Sequence, residues 1–174
     1  MAEALRKDSV RSNRFWGALT PLGLSIAVLV FCLDQAVKNW LLFAVNMPER
    51  KIINITSFFD ITMAWNYGVS YGLMTTHLQG ALVLISLLIS TLLWIWLAQS
   101  GHPLKAASLG LVIGGALSNA LDRLVHGAVA DFFYFHYRDL KLPFLDFVFN
   151  PADVAIVAGV ILLLYESFLE REAA

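Results

Sequence analysis

The sequence predicts an all-α integral membrane protein with four transmembrane helices and a small β-sheet and loop region at the outer membrane face. Of the 174 residues, 59% are hydrophobic and only 14% are charged, whereas soluble domains carry about a quarter charged residues. Four apolar segments are long enough for a helix to cross roughly 30 Å of hydrocarbon. Two other segments are rich in β-branched and aromatic residues, which favour strands. We therefore expect a single membrane domain over residues 1–174.

The four predicted transmembrane helices cover approximately residues 15–43, 78–98, 104–125 and 150–169. The first contains Asp34 and Lys38 in its last third, and the second contains no charged residue. In the third, small residues recur every four positions, at Gly110, Gly114 and Ser118. This spacing lets helix backbones approach closely in lipid, so we interpret it as a packing surface.

Basic residues predict the orientation of these helices. The first helix is preceded by four of them, Arg6, Lys7, Arg11 and Arg14. Lys105 lies in the short second connection. Because short cytoplasmic loops carry an excess of lysine and arginine, both termini are expected in the cytoplasm. The segments 44–77 and 126–149 are then predicted to lie outside.

The outer segments predict a small sheet. KIINITSFFDITMAWN and FFYFHY are rich in β-branched and aromatic residues, which is typical of strands. Gly68 and Gly72 are expected to supply turns. Asp60 is interpreted as a solvated loop residue.

Composition argues against several other functions. The net charge is −1, and no basic stripe or nucleic-acid-binding motif is present, so no nucleic-acid partner is expected. Cys32 is the only cysteine, which excludes an intramolecular disulfide, and its long apolar surroundings predict a buried core position. The four histidines show no metal-ligand spacing, so no metal site is expected.

Polar residues from separate segments converge on one layer, at the outer leaflet. Ionisable groups in or beside hydrocarbon cost several kcal/mol each unless they are paired or reach water. Their concentration at one face therefore predicts a functional site. The residues are Asp34, Lys38, Asn66, Asn119, Asp122, Arg123, Asp131, Asn150 and Asp153.

Several of these residues also have a purely structural interpretation. Asp34 and Lys38 are four apart and can form an ordinary helical ion pair. Asn119 and Asp122 can cap or bridge neighbouring helices, and the Arg123 side chain can extend to lipid headgroups. Asp153 lies in the first turn of a helix, where a carboxylate stabilises the positive helix end.

The motifs that carry these residues resemble those of the lipoprotein signal peptidases, the type II signal peptidases of bacteria. The resemblance covers nearly the whole chain, in the order DQAVK (34–38), WNYGVSYG (65–72), GGALSNALDRLVHGAVADF (114–132) and FNPAD (149–153). It implies an aspartic endopeptidase of the cytoplasmic (inner) membrane that needs no cofactor. The implied substrate is a prolipoprotein, cleaved before a cysteine that carries a diacylglyceryl group.

The resemblance also assigns roles to residues. It implies that Asp131, in the element after the third helix, and Asp153, which closes FNPAD, form the catalytic pair. A monomer in contact with membrane lipids is expected. The implied substrate-binding and supporting residues are Asn66, Gly68, Asn119, Asp122, Arg123, Asn150, Asp34 and Lys38.

Two other functions stay open from the residues alone. A proton- or ion-coupled carrier also uses buried aspartates with an arginine, although a carrier is expected to place polar groups near the midplane. A non-enzymatic assembly protein could use Gly110 and Gly114 for helix contact. That alternative leaves the positions of Asp131 and Asp153 unexplained.

Overall fold

The computed structural model describes residues 14–68, 76–136 and 147–172, with the side chains of 76–77 and 170–172 left aside. The basic residues Arg6, Lys7 and Arg11 and the predicted turn at Gly72 lie outside this part of the chain. The helices are α1 (Thr20–Asn39), continued by a π-helical turn (Trp40–Ala44), α2 (Met47–Arg50), α3 (Thr76–Ala98), α4 (Pro103–His126) and α5 (Pro151–Glu172).

Within the described residues, four helices are long and apolar enough to cross a membrane: Thr20–Ala44, Leu78–Ala98, Pro103–His126 and Pro151–Leu169. The first begins at Thr20, later than the apolar run does, and Pro21 occupies its first turn, where a missing N–H costs nothing. The prediction of a buried Cys32 is wrong, because this side chain is exposed on the surface of α1. Hydrophobicity does not distinguish a core residue from one that faces lipid.

Four short antiparallel strands form one sheet in the order β1 (Ile52–Asn54), β2 (Phe59–Asn66), β3 (Val129–Phe135) and β4 (Phe147–Phe149). Ala64 of β2 lies opposite Asp131 of β3, and the register shifts between Ile61 and Ala64. Gly68 follows β2 with a φ of +77°, a conformation that glycine adopts without strain. Four apolar helices and a small sheet confirm the predicted fold class.

Asp60 contradicts its interpretation as a solvated residue, because it is fully buried. Its carboxylate accepts a hydrogen bond of 2.9 Å from Asn54 Nδ2 and lies 2.8 Å from His136 Nε2. These contacts connect β1, β2 and the end of β3. The partners are distant in sequence, so only the strand pairing brings them together.

Helix α4 is central, and α1, α3 and α5 all pack against it. Its small residues permit this close packing. A Cβ at Gly110 would lie 2.4 Å from the Gly23 carbonyl oxygen, and one at Gly114 would lie 2.4 Å from the Ala27 oxygen. At Gly115 a Cβ would lie 2.6 Å from the Ala152 oxygen of α5. The backbones of α1, α4 and α5 therefore lie close enough for short side chains to meet between them.

Candidate active site

One residue, Asn150, contacts both predicted catalytic aspartates. Its side-chain Nδ2 donates a hydrogen bond of 2.6 Å to Asp131 Oδ1, and its backbone N–H donates one of 3.2 Å to Asp153 Oδ2. Asp131 comes from the sheet and Asp153 from the first turn of α5. The structure thus brings together two carboxylates that are distant along the chain.

The start of α5 fixes the position of Asp153. Asn150 precedes the helix, and its Oδ1 accepts the Asp153 N–H at 2.9 Å, while Asp153 accepts the Asn150 N–H in return. This reciprocal pair has the pattern of a capping box. Pro151 has no N–H to satisfy, and the Ala152 N–H donates to Asp34 Oδ1 at 2.9 Å. The first turn is therefore fully hydrogen-bonded, and the Asp153 carboxylate cannot rotate freely.

Asp131 is 2% exposed and accepts one hydrogen bond on each oxygen. Asn66 Nδ2 donates to Oδ2 at 3.0 Å, and Asn150 donates to Oδ1. Burial, and secondly the charge of Asp153, raise the pKa of the Asp131 carboxyl to about 6. The hydrogen bonds from Asn150 and Asn66 oppose this rise by stabilising the ionised form.

Lys38 is the cation beneath these two aspartates. It is 1% exposed, and its ammonium lies 2.7 Å from Asp34 Oδ2 and 2.8 Å from Asp122 Oδ2. It also donates a hydrogen bond of 2.9 Å to Asn119 Oδ1. These three acceptors match the three donors of an ammonium. Asn119 in turn donates from Nδ2 to Asp153 Oδ1 at 2.9 Å, so one amide connects the buried lysine to the aspartate on α5.

Sequence reasoning missed two residues of this network, Gln35 and Ser118. Gln35 Nε2 donates to Asp122 Oδ1 at 2.7 Å, and Ser118 Oγ donates to Asp34 Oδ2 at 2.7 Å. Gln35 stands three positions before Lys38, a spacing that puts both on one face of α1. Ser118 was assigned only to helix packing, although a hydroxyl at such a contact also donates.

The remaining predicted residues lie at the edge of the network. Arg123 Nη1 donates to the Asn119 carbonyl at 3.2 Å, and Arg123 Nε is buried without a hydrogen-bond partner among the described residues. The Gly68 N–H donates to Asn66 Oδ1 at 2.8 Å, which orients the Asn66 amide toward Asp131. All the predicted site residues thus belong to one connected set of contacts.

The arrangement suits acid–base chemistry. It holds one carboxyl whose pKa lies near neutrality beside a second carboxylate, with amide donors and a buried lysine that fix both. A pair of this kind can donate one proton and accept another. Within the described part of the chain, no group of three or more His, Cys, Asp or Glu side chains is placed to hold a metal ion.

Comparison with known proteins points to one family. A family model described as Signal peptidase (SPase) II matches residues 26–169. The lipoprotein signal peptidase of Nitrobacter hamburgensis is 47% identical over 161 residues, covering 90% of this chain and 98% of that protein. The lipoprotein signal peptidase of Rhodopseudomonas palustris strain TIE-1 is 43% identical over 160 residues, covering 89% and 98%.

Solved structures share the fold. A bacterial membrane enzyme determined by the in meso method at 2.3 Å resolution matches with a TM-score of 0.71 at 22% identity, covering 87% of this chain and 90% of that one. A second, at 1.9 Å resolution, gives a TM-score of 0.69 at 25% identity, covering 84% and 92%. The fold alone would leave the function open. The family model and the two relatives identify the family, because they match most of the sequence that builds the site. The chain therefore belongs to the signal peptidase II family of lipoprotein-processing hydrolases, and it is a multi-pass membrane protein.

Proposed function

We propose that this chain is an intramembrane aspartic endopeptidase that removes signal peptides from diacylglyceryl-modified prolipoproteins. It hydrolyses the peptide bond before the lipidated cysteine, and Asp131 and Asp153 are its catalytic pair. The observation that carries this proposal is the position of Asn150, which donates hydrogen bonds to both carboxylates. A purely structural cap of α5 would not require a second contact with Asp131.

Amide hydrolysis needs an activated water and a proton for the leaving nitrogen. Two neighbouring carboxyls that share one proton supply both, because the ionised one removes a proton from water and the neutral one gives a proton up. The raised pKa of Asp131, about 6, keeps a protonated carboxyl available near neutral pH. The pair titrates as a unit.

Asp153 is assigned as the carboxylate that activates water. It lies at the N-terminus of α5, where the helix dipole favours negative charge. Asp131 is assigned as the proton donor because it is buried in the sheet. Each carboxylate accepts two hydrogen bonds. The number of donors therefore does not favour the reverse assignment.

Arg123 and Asn66 are the groups proposed to contact the substrate. The buried Nε–H of Arg123 has no acceptor among the described residues, and it is available to a substrate carbonyl or to the oxyanion that forms from it. One such donor at a developing charge contributes roughly 3–4 kcal/mol to a reaction of this kind. Lys38, Asp34, Asp122 and Asn119 hold the pair in place.

The site is proposed to lie near the outer leaflet of the cytoplasmic (inner) membrane, with both termini in the cytoplasm. Arg14 and Lys105 support this orientation, since they flank the opposite ends of α1 and α4 from the site. A cysteine that carries two acyl chains lies at the same level, where the signal peptide's helix ends. We propose that the chain acts as a single membrane domain and a monomer, surrounded by membrane lipids.

The test is cleavage of a lipidated precursor by Asp131→Asn and Asp153→Asn, each purified and reconstituted. Both variants keep the shape of the side chain and remove its proton chemistry, so cleavage should fall by at least about a thousandfold. Asp60→Asn is the matched control, because it changes a buried aspartate of the same sheet outside the network and should retain activity. Wild-type cleavage by either site variant would remove the pair from the mechanism.

A further inference from the structure

A groove of about 480 Å³ lies between the sheet and the first turn of α5. Its floor is aromatic and comes from Phe133 and Phe135 of β3 and Phe149 of β4. Pro151 and Val154 of α5 form one wall. The volume lies within the range of about 300–1,000 Å³ that is usual for small-molecule sites.

The opposite wall is also apolar. It comes from Phe58 and Phe59 at the start of β2, and among the described residues of the lining Thr56 is the only polar one. The rings support one another: Phe58 and Phe135 stack with centroids 6.3 Å apart, and Phe59 and Phe133 stack at 6.0 Å. The rings of this wall are therefore in contact with the rings of the floor.

The groove lies next to the candidate active site, because residues close to both aspartates line it. Successive side chains of a strand alternate between its two faces, so Asp131, Phe133 and Phe135 project from the same face of β3. On the other wall, Val154 directly follows Asp153 in the first turn of α5. A molecule whose reactive end lies between the two carboxylates can therefore extend into the groove without leaving the surface.

We propose that this groove binds one acyl chain of the diacylglyceryl group on the substrate cysteine, an inference that rests on the proposed function. A peptide segment is a poorer occupant, because its N–H and C=O groups would lose water and find almost no polar partner on an aromatic lining. An acyl chain has no such groups. Val154 is 53% exposed, so the groove opens on the side of α5 that faces lipid, from which a chain can enter.

The groove acts mainly by positioning the cysteine. An acyl chain that leaves the bilayer for the groove exchanges one apolar environment for another, so burial itself provides little driving force. An acyl chain bound in the groove instead holds the scissile bond against the carboxylates in a single orientation. We therefore expect acyl length to change the rate of cleavage by about tenfold, which is about 1.4 kcal/mol, and to change binding to the membrane little.

The test compares two synthetic precursors that differ only in the diacylglyceryl group, with either two palmitoyl or two butyryl chains. Both remain in the bilayer through the apolar helix of the signal peptide. In nanodiscs, wild-type kcat/KM should be about tenfold higher for the palmitoyl precursor. Val154→Phe places a ring in the groove and should reduce this preference to about twofold or less while cleavage of the butyryl precursor persists.

Val160→Phe is the matched control, because it makes the same change at another exposed position of α5 outside the groove. It should keep the wild-type preference. The inference is overturned if Val154→Phe keeps the preference, or if it lowers both rates equally, which would mean that the groove holds peptide. Failure of the proposed function has a different result, since the wild-type protein would then cleave neither precursor before the cysteine.

Discussion

Asn150 Nδ2 donates a hydrogen bond of 2.6 Å to Asp131 Oδ1, while the backbone N–H of Asn150 donates one to Asp153 Oδ2. One side chain therefore sets both the start of α5 and the distance from that helix to β3. Because Asn150 is fully buried, water cannot replace either contact easily.

Asn150→Ser and Asn150→Ala distinguish two roles of Asn150, the cap of α5 and the hydrogen bond to Asp131. Serine still caps a helix but is too short to reach Asp131, so both variants should lose at least about a hundredfold in cleavage of a lipidated precursor. Both variants should lose stability because the buried Asp131 loses a hydrogen bond, and alanine should lose about 0.5–2 kcal/mol more because it also lacks the cap. Thermal unfolding and initial rates measure the two effects. A fully active serine variant would show that the contact with Asp131 is dispensable.

Lys38→Met removes the cation between Asp34 and Asp122 and leaves both carboxylates buried. Breaking a buried pair in this way costs about 3–5 kcal/mol, so the thermal midpoint in detergent should fall sharply. Lys105→Met is the matched control. Its partner Glu166 lies 3.1 Å away and is also buried, but the Lys105 side chain is 16% exposed against 2% for Lys38. Water can therefore reach the place of the Lys105 ammonium, and the loss of stability should be smaller. Equal falls in the thermal midpoint of Lys38→Met and Lys105→Met would contradict the central position of Lys38.

Gly114→Ala tests the close contact between α1 and α4. The added methyl would lie 2.4 Å from the Ala27 carbonyl oxygen, so the helices must separate, at a cost of about 1–3 kcal/mol. Gly80→Ala on α3 is the control, since no atom of the described residues lies within 4 Å of its added methyl. That variant should be unchanged or more stable by up to about 1 kcal/mol. The thermal midpoints of the two variants measure this difference. A Gly114→Ala variant as stable as the wild-type protein would mean that α1 and α4 are not in close contact here.

The pH profile of cleavage should reveal Asp131. With the pKa of Asp131 near 6 and its proton needed for the leaving nitrogen, kcat/KM should decline above about pH 6, approaching a tenfold loss per pH unit. A rate that stays constant from pH 5 to about pH 8 would exclude Asp131 as the proton donor.

Stability should change with pH in the same window. The pKa of Asp131 is about 6 in the folded state, whereas the pKa of an aspartate in an unfolded chain is about 4. Between these values the folded state binds more protons, so its stability falls as the pH rises. Asp131→Asn should flatten this part of the curve of thermal midpoint against pH, and an unchanged slope would assign it to another group.

The sequence alone predicted the four long helices and the sheet, and it singled out polar residues that the structure places in one network of contacts. Aspartates in apolar surroundings are costly, which singles out Asp131 and Asp153 by residue type and position alone. The strand-rich outer segments likewise predicted the sheet. These features are local, and each depends on residue type and spacing within one segment.

Contacts between segments could not be predicted in this way. The Ala152 N–H that binds Asp34 and the Ala130 N–H that binds Asp122 are backbone groups with no sequence signature. Asp60 looks like a loop residue until strand pairing places it beside His136. Cys32 lies in an apolar run whether it faces protein or lipid, so its exposure depends on which face of α1 packs against α4.

The spacing of Asp34 and Lys38 also bears on biosynthesis. Two acceptors of Lys38, Asn119 and Asp122, belong to α4, which the ribosome completes only after α3. Until then, a cation in a newly inserted helix has no neighbour to neutralise it except Asp34, one helical turn away. An unneutralised charge in hydrocarbon costs several kcal/mol. We therefore expect Asp34, which pairs with Lys38 at 2.7 Å in the folded chain, to serve as its counter-ion while the first helix enters the bilayer.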